Sequence, residues 1–197
     1  MLKIFFRFRV EGKHNIPQEG SFIAASNHVS YLDPAVLGSS IPKILHFMAK
    51  EELFNIKFFG SFLRKVAAYP VRRDYRDFGA IKESLKILKK GDSIGLFPEG
   101  GRMSGPEFGE PYLGIGMLAA HSGVPVLPIY IKGTGKILSK TAKFGGFKSV
   151  TAYIGEPMRF DEGSEGNLEK KDLYREFSNK VMEHIANLKE RAYGADN

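Results

Sequence analysis

Residues 22–38 read FIAASNHVSYLDPAVLG, and their properties run in the order strand, polar loop, helix. Residues 22–26 are a short apolar run of strand character. Pro34 suits the first turn of a helix, and Ser30 with Asp33 has the S-x-x-D spacing of a capping box. A helix is therefore expected from 34 to 38, with His28 just before it and Asp33 in or at its first turn. Inside a regular helix, positions i and i+5 point about 140° apart and do not meet. Across a helix entry, the turn can bring the His28 ring and the Asp33 carboxylate within hydrogen-bond reach. A carboxylate on one ring nitrogen fixes the tautomer and makes the other nitrogen a better base. The spacing alone supports two readings: a base with its orienting carboxylate, or a helix cap beside a histidine that fills a turn.

The alternation continues in both directions. Strands are expected at 5–10, 44–49, 68–71, 93–97, 126–131 and 150–154. Helices are expected at 51–66, 78–90, 114–121 and 172–191. In 78–90 the apolar residues Ile81, Leu85 and Leu88 recur at helical spacing, and Gly91 ends the run. Strands alternating with helices predict a single α/β domain over 1–197, with a largely parallel mixed sheet flanked by helices. A strand and helix over 150–191 complete it. Ligands of such sheets gather at the carboxyl ends of the strands. The polar loops at Asn27, Arg72 and Glu99 each follow an expected strand, so one rim is expected to carry all three.

Composition narrows the function. The chain has 197 residues, 43% hydrophobic and 26% charged, the proportions of a folded domain. It has no cysteine, which excludes thiolate nucleophiles, disulfides and Cys-ligated metal, and it fits a reducing compartment. No histidines are spaced as a metal pair, so no metal site is expected. His14, His46, His121 and His184 have no partner in sequence comparable to that of His28. No run of roughly 18 apolar residues is present to span a bilayer. The apolar run at 4–6 is broken by Arg7 and Arg9 and is too short for a signal peptide. The net charge of +7 favours acidic partners. With no helix-turn-helix, zinc-finger or RNP signature, nucleic acid is not expected among them. The stretch LFNIKFFGSFLRK at 53–65 mixes phenylalanines with Lys57, Arg64 and Lys65, which suits an anionic lipid surface. An amphipathic core helix with a cationic outer face has the same pattern.

Several short motifs carry or fail to carry chemistry. FPEGGRMSG at 97–105 follows an expected strand and joins glycines to Glu99 and Arg102. Glycines let backbone approach an anion, and a guanidinium grips phosphate bidentately; a solvated loop with an incidental ion pair would look alike. YPVRR at 69–73 sets two arginines after a strand, either at a ligand rim or as a charge pair on an outer face. GIGMLA at 114–119 lacks the preceding strand and following acid of a dinucleotide site. GTGK at 133–136 lacks the other elements of a P-loop, and no G-x-S-x-G elbow supports a serine nucleophile.

Taken in order, these motifs make the chain resemble the glycerolipid acyltransferases, and more narrowly the 1-acylglycerol-3-phosphate (lysophosphatidic acid) acyltransferases. The family's N-H-x-x-x-x-D stands as Asn27–His28–VSYL–Asp33. Its second motif is matched by AYPVRR with Arg73 in the arginine position, its third by FPEGGR with Glu99, Gly100 and Arg102, and its fourth by VPVLP at 124–128. Lys50 resembles a lysine implicated in gripping phosphate. The motifs cover roughly 10–135.

The resemblance implies acyl transfer from acyl-CoA or acyl carrier protein, as co-substrate with no further cofactor, to the hydroxyl of a lysophospholipid. His28 would be the general base and Asp33 its orienting partner. Arg73, Arg102 and Lys50 would hold the acceptor's phosphate, and Glu99 would position those arginines or the glycerol hydroxyl. Backbone amides near Gly100 or Val126 would be candidates for the oxyanion. Many bacterial members carry an amino-terminal hydrophobic helix. Few residues precede the first strand here, so a cytoplasmic protein docked peripherally on an anionic membrane is expected. Phe54, Phe58, Phe59, Phe62 and the segment KIFFRFR at 3–9 would make the contact.

Overall fold

The computed structural model describes residues 6–71, 78–105, 107–138, 146, 148–161 and 169–194. Its strands are β1 (Arg9–Glu11), β2 (Ile23–Ser26), β3 (Leu45–Lys50), β4 (Ala68–Val71), β5 (Ser93–Leu96), β6 (Val126–Lys132) and β7 (Thr151–Ile154). They form one sheet in the order β1-β7-β6-β2-β5-β3-β4. Every pairing is parallel except β6 with β7. Six α-helices are described: α1 (Asp33–Ser40), α2 (Glu51–Phe54), α3 (Phe59–Lys65), α4 (Phe78–Lys89), α5 (Gly114–Ser122) and α6 (Lys170–Gly194).

The sheet is covered on both faces, as a parallel sheet with helical crossovers must be. All four residues of β2 and of β5 are buried. Alternate side chains serve two separate cores. Ile23, Ala25, Ile94, Leu96, Val126 and Tyr130 pack with residues of α4, α5 and α6, among them Leu88, Leu118 and Val181. Phe22, Ala24, Leu127, Ile129 and Ile131 pack on the other face with Val36 and Leu37 of α1. The helices α5 and α6 meet closely at Gly116, where a Cβ would stand 2.2 Å from the carbonyl oxygen of Tyr174.

Two expectations are corrected. The single helix expected over 51–66 is two, α2 and α3. The Asn55 N–H turns back to the Glu52 carbonyl, and the Gly60 N–H donates to Ile56 at 2.7 Å. Gly60 lies so close to Phe54 that a Cβ would come 2.1 Å from its carbonyl oxygen. The apolar periodicity is real, but this glycine folds the segment back on itself. The first strand begins later than expected, at Arg9, where pairing with Thr151 starts. Phe6 and Phe8 pack into the second core instead, and Phe5 lies outside the described residues.

Because β2 to β6 run in parallel, the loops after β2, β3, β5 and β6 open on one edge of the sheet. The loop after β4, with Arg72 and Arg73, lies outside the described residues.

Candidate active site

The chain leaves β2 at Asn27, whose side chain takes over the ladder. Its Oδ1 accepts the Ile131 N–H at 2.7 Å, and its Nδ2 donates to the Ile131 carbonyl at 3.2 Å. The amide thus pairs with β6 as a further strand residue would, and frees the backbone to turn. His28 follows. Its Nδ1 lies 3.0 Å from Asp33 Oδ2, the first residue of α1. The same oxygen accepts the Val29 and Ser30 N–H groups, each at 2.7 Å. The one carboxylate therefore bonds both the helix-entry amides and the ring. The carboxylate stabilises the helix entry, where the dipole favours negative charge, and it orients the imidazole. The capping box is only half formed: Asp33 accepts from the Ser30 N–H, but the Ser30 hydroxyl donates to the Leu138 carbonyl and accepts from the Leu32 N–H.

The oxygen that takes two backbone N–H groups is an acceptor toward the ring as well. Nδ1 therefore carries the proton, and Nε2 holds a lone pair with no hydrogen-bond partner among the described residues. The ring is stacked on Phe97, with centroids 4.1 Å apart and planes at 18°, and Phe97 is stacked in turn on Phe47. Phe47 fits only because residue 95 is glycine; a Cβ there would stand 2.2 Å from Phe47 Cε1.

The loop after β5 clamps His28 from the other side. Glu99 is 6% exposed. Its Oε2 accepts the His28 N–H at 2.8 Å and its Oε1 the Gly109 N–H at 3.1 Å. The His28 carbonyl accepts the Met103 N–H at 2.8 Å. Both backbone groups of His28 are thus bound to the segment that carries FPEGGR. Burial pushes the Glu99 carboxyl above its ordinary value, while the Gly109 and His28 amide bonds oppose the rise. Among the described residues the two oxygens of Glu99 hold backbone amides and not Arg102. Gly100 has a φ of 65°, which favours glycine, and turns the chain back with its N–H on the Phe97 carbonyl.

Arg102 lies over Tyr31, with Cζ 3.5 Å from the ring centroid, and its Nε is buried with no partner among the described residues. Lys50 ends β3 on the same sheet edge and is exposed. In sheet order it lies two strands from His28, about 10 Å across. Arg73 is outside the described residues. The structure thus brings His28, Asp33, Glu99, Gly100 and Arg102 together and sets Lys50 farther along the rim. Of the amides around the two oxyanion candidates, those of Gly100 and Val126 themselves are engaged, by the Phe97 and Met158 carbonyls. His46 does have a spatial partner, Asp92 at 3.9 Å, but the pair lies at the amino ends of β3 and β5, away from this rim.

Phe97, Tyr31 and Gly109 were missed as parts of the site. Phe97 opens the FPEGGR motif and offered a signal, whereas Tyr31 and Gly109 offered none. Two clefts adjoin the loops, of about 600 and 480 Å³, with Glu99 lining the first and Asn27 the second, while Met103 lines both.

Comparison with known proteins agrees with this geometry. The family model described as Acyltransferase matches residues 7–132. A 1-acyl-sn-glycerol-3-phosphate acyltransferase of Bacillus subtilis is 37% identical over 153 residues, covering 76% of this chain and 73% of that protein. One from Pseudomonas aeruginosa is 30% identical over 192 residues, covering 94% of this chain and 72% of that protein. The crystal structure of the 1-acyl-sn-glycerophosphate acyltransferase of Thermotoga maritima superposes with a TM-score of 0.77 at 28% identity, over 96% of this chain and 73% of that one. The matched residues span the loops that carry His28, Asp33, Glu99 and Arg102, and the chain belongs to the acyltransferase family.

Proposed function

We propose that this acyltransferase moves a fatty acyl group from a thioester, acyl-CoA or acyl carrier protein, to the sn-2 hydroxyl of 1-acyl-sn-glycerol-3-phosphate, giving phosphatidic acid. One observation carries the reading: an imidazole tied through Nδ1 to a buried carboxylate, its Nε2 without a partner among the described residues, on the same rim as Arg102. An alcohol is a weak nucleophile at neutral pH, and a positioned base removes its proton as the new bond forms. His28 Nε2 takes the hydroxyl proton while the oxygen attacks the thioester carbonyl. The tetrahedral intermediate collapses with cleavage of the C–S bond, and the leaving thiolate takes the proton back from Nε2. Asp33 stabilises the imidazolium between these steps. No covalent acyl-enzyme is required, in keeping with a chain without cysteine. Arg102, with Arg73 and Lys50, holds the acceptor's phosphate, and Glu99 fixes the His28 backbone.

The same reading places the enzyme peripherally on the anionic cytoplasmic face of a membrane. Among the described residues no helix is long and apolar enough to cross one. Phe58 is 86% exposed, beside exposed Ile56 and Lys57.

Free thiol released from acyl-CoA and acyl carrier protein, with and without lysophosphatidic acid, tests the reaction. Release should depend on the acceptor, and His28→Ala should lose at least about a hundredfold in kcat with the fold intact. Acceptor-independent release would overturn the substrate, and near-normal turnover in the variant would overturn the mechanism.

A further inference from the structure

Tyr31 contacts the site through Arg102 alone among the contacts described, and the mechanism above gives it no task. It is 49% exposed and stands between His28 and Asp33 in the loop after β2. The Arg102 Cζ lies 3.5 Å above its ring centroid, contact distance for a guanidinium laid on an aromatic face. Neither carboxylate of the site neutralises this cation. Glu99 spends one oxygen on the His28 N–H and the other on the Gly109 N–H. Asp33 Oδ2 takes the His28 ring and two amides, while its Oδ1 has no hydrogen-bond partner among the described residues. Arg102 Nε is buried without an acceptor among the described residues, a cost that an arriving anion would relieve.

An aromatic face orients a guanidinium without cancelling its charge, whereas a carboxylate in the same place does both. We propose that Tyr31 is a positioning and specificity-determining residue: its ring holds Arg102 flat at the rim, charge uncompensated, so that the guanidinium meets the phosphate of the acceptor. The inference rests on the phosphate-holding role proposed above for Arg102. The ring face does the positioning; the phenol hydroxyl is dispensable.

Steady-state kinetics at saturating acyl-CoA, with lysophosphatidic acid varied, test it in Tyr31→Phe, Tyr31→Leu, Tyr31→Ala, Arg102→Ala and the Tyr31→Ala/Arg102→Ala double variant. Tyr31→Phe should keep the acceptor KM within about twofold of wild type, because the ring face remains. Tyr31→Leu and Tyr31→Ala should each raise it about tenfold with kcat nearly unchanged, the signature of lost binding rather than lost chemistry. Leucine keeps apolar bulk without the ring face, so agreement between the two separates the face from packing. In the Arg102→Ala background, Tyr31→Ala should change nothing further, because a residue that acts through another has no effect once that other is gone. A wild-type KM in Tyr31→Ala, a Tyr31→Phe as impaired as Tyr31→Ala, or fully additive effects would each overturn the pairing. If Arg102→Ala alone leaves KM unchanged, the phosphate role falls and takes the pairing with it. If Arg102→Ala raises KM and the Tyr31 variants do not, only the pairing falls.

Discussion

Asp33 takes three hydrogen bonds on one oxygen while the other is buried without a partner among the described residues. Its two duties can be separated by substitution. Asparagine keeps an oxygen for the amides of Val29 and Ser30 but removes the charge that stabilises the imidazolium. Asp33→Asn is therefore expected to lose about a hundredfold or more in kcat, with a melting temperature close to wild type. Asp33→Ala should lose activity and also about 1 kcal/mol of stability with the helix entry; paired turnover and thermal melts check both. Glu99 has the opposite electrostatic problem. Burial raises its pKa above the ordinary 4.5, so the folded state holds the proton more tightly than the unfolded one. Its contribution to stability is fully present below 4.5 and is lost as pH rises through the folded value. Urea midpoints of the wild type should fall relative to Glu99→Gln as pH rises from about 4 to 7. A constant difference between the two would show that Glu99 does not titrate as burial demands. Neither the triple acceptance at Asp33 nor the amide grip of Glu99 was legible in the sequence. The motif letters mark both residues, but the partners of Glu99 lie ten residues further along its own loop and in the loop after β2.

At the scale of elements, β5 carries a chain of contacts that ends at the His28 ring. Gly95 admits Phe47 from β3, Phe47 stacks on Phe97, and Phe97 stacks on the His28 ring. A methyl group at 95 must displace Phe47. Gly95→Ala is expected to cost about 1–3 kcal/mol by overpacking and to lower kcat, although residue 95 is no part of the chemistry. Denaturation and turnover of the one variant check the coupling; unchanged turnover in a destabilised protein would break the link to His28. The apolar patterns located the strands and most helices to within a few residues, because burial imposes the period directly on the chain. They failed at 51–66, where the Gly60 approach to Phe54 divides a continuous helical pattern, since a close backbone contact leaves no trace in hydrophobic periodicity.

On the scale of the whole molecule, a net charge of +7 and the exposed Phe58 define how the enzyme would meet lipid. Phe54 is partly buried with Arg64 5.8 Å over its ring; the side chains of Phe59 and Phe62 and residues 3–5 lie outside the described structure. The protein should float with anionic phosphatidylglycerol vesicles more than with neutral ones, and Phe58→Asp should weaken that binding severalfold, as loss of one buried aromatic predicts. Equal failure on both vesicle types would overturn peripheral docking. The α/β alternation, the position of the histidine and FPEGGR motifs after strands and the absence of thiol chemistry are properties of the chain itself, since period, spacing and residue type are local. Tertiary structure decided the rest: the antiparallel turn of β7 against β6, the Asn27 amide that extends the ladder, the clamp on the His28 backbone and the tyrosine under Arg102. Each joins residues distant in sequence, and only the register of the folded sheet brings such groups within bonding distance.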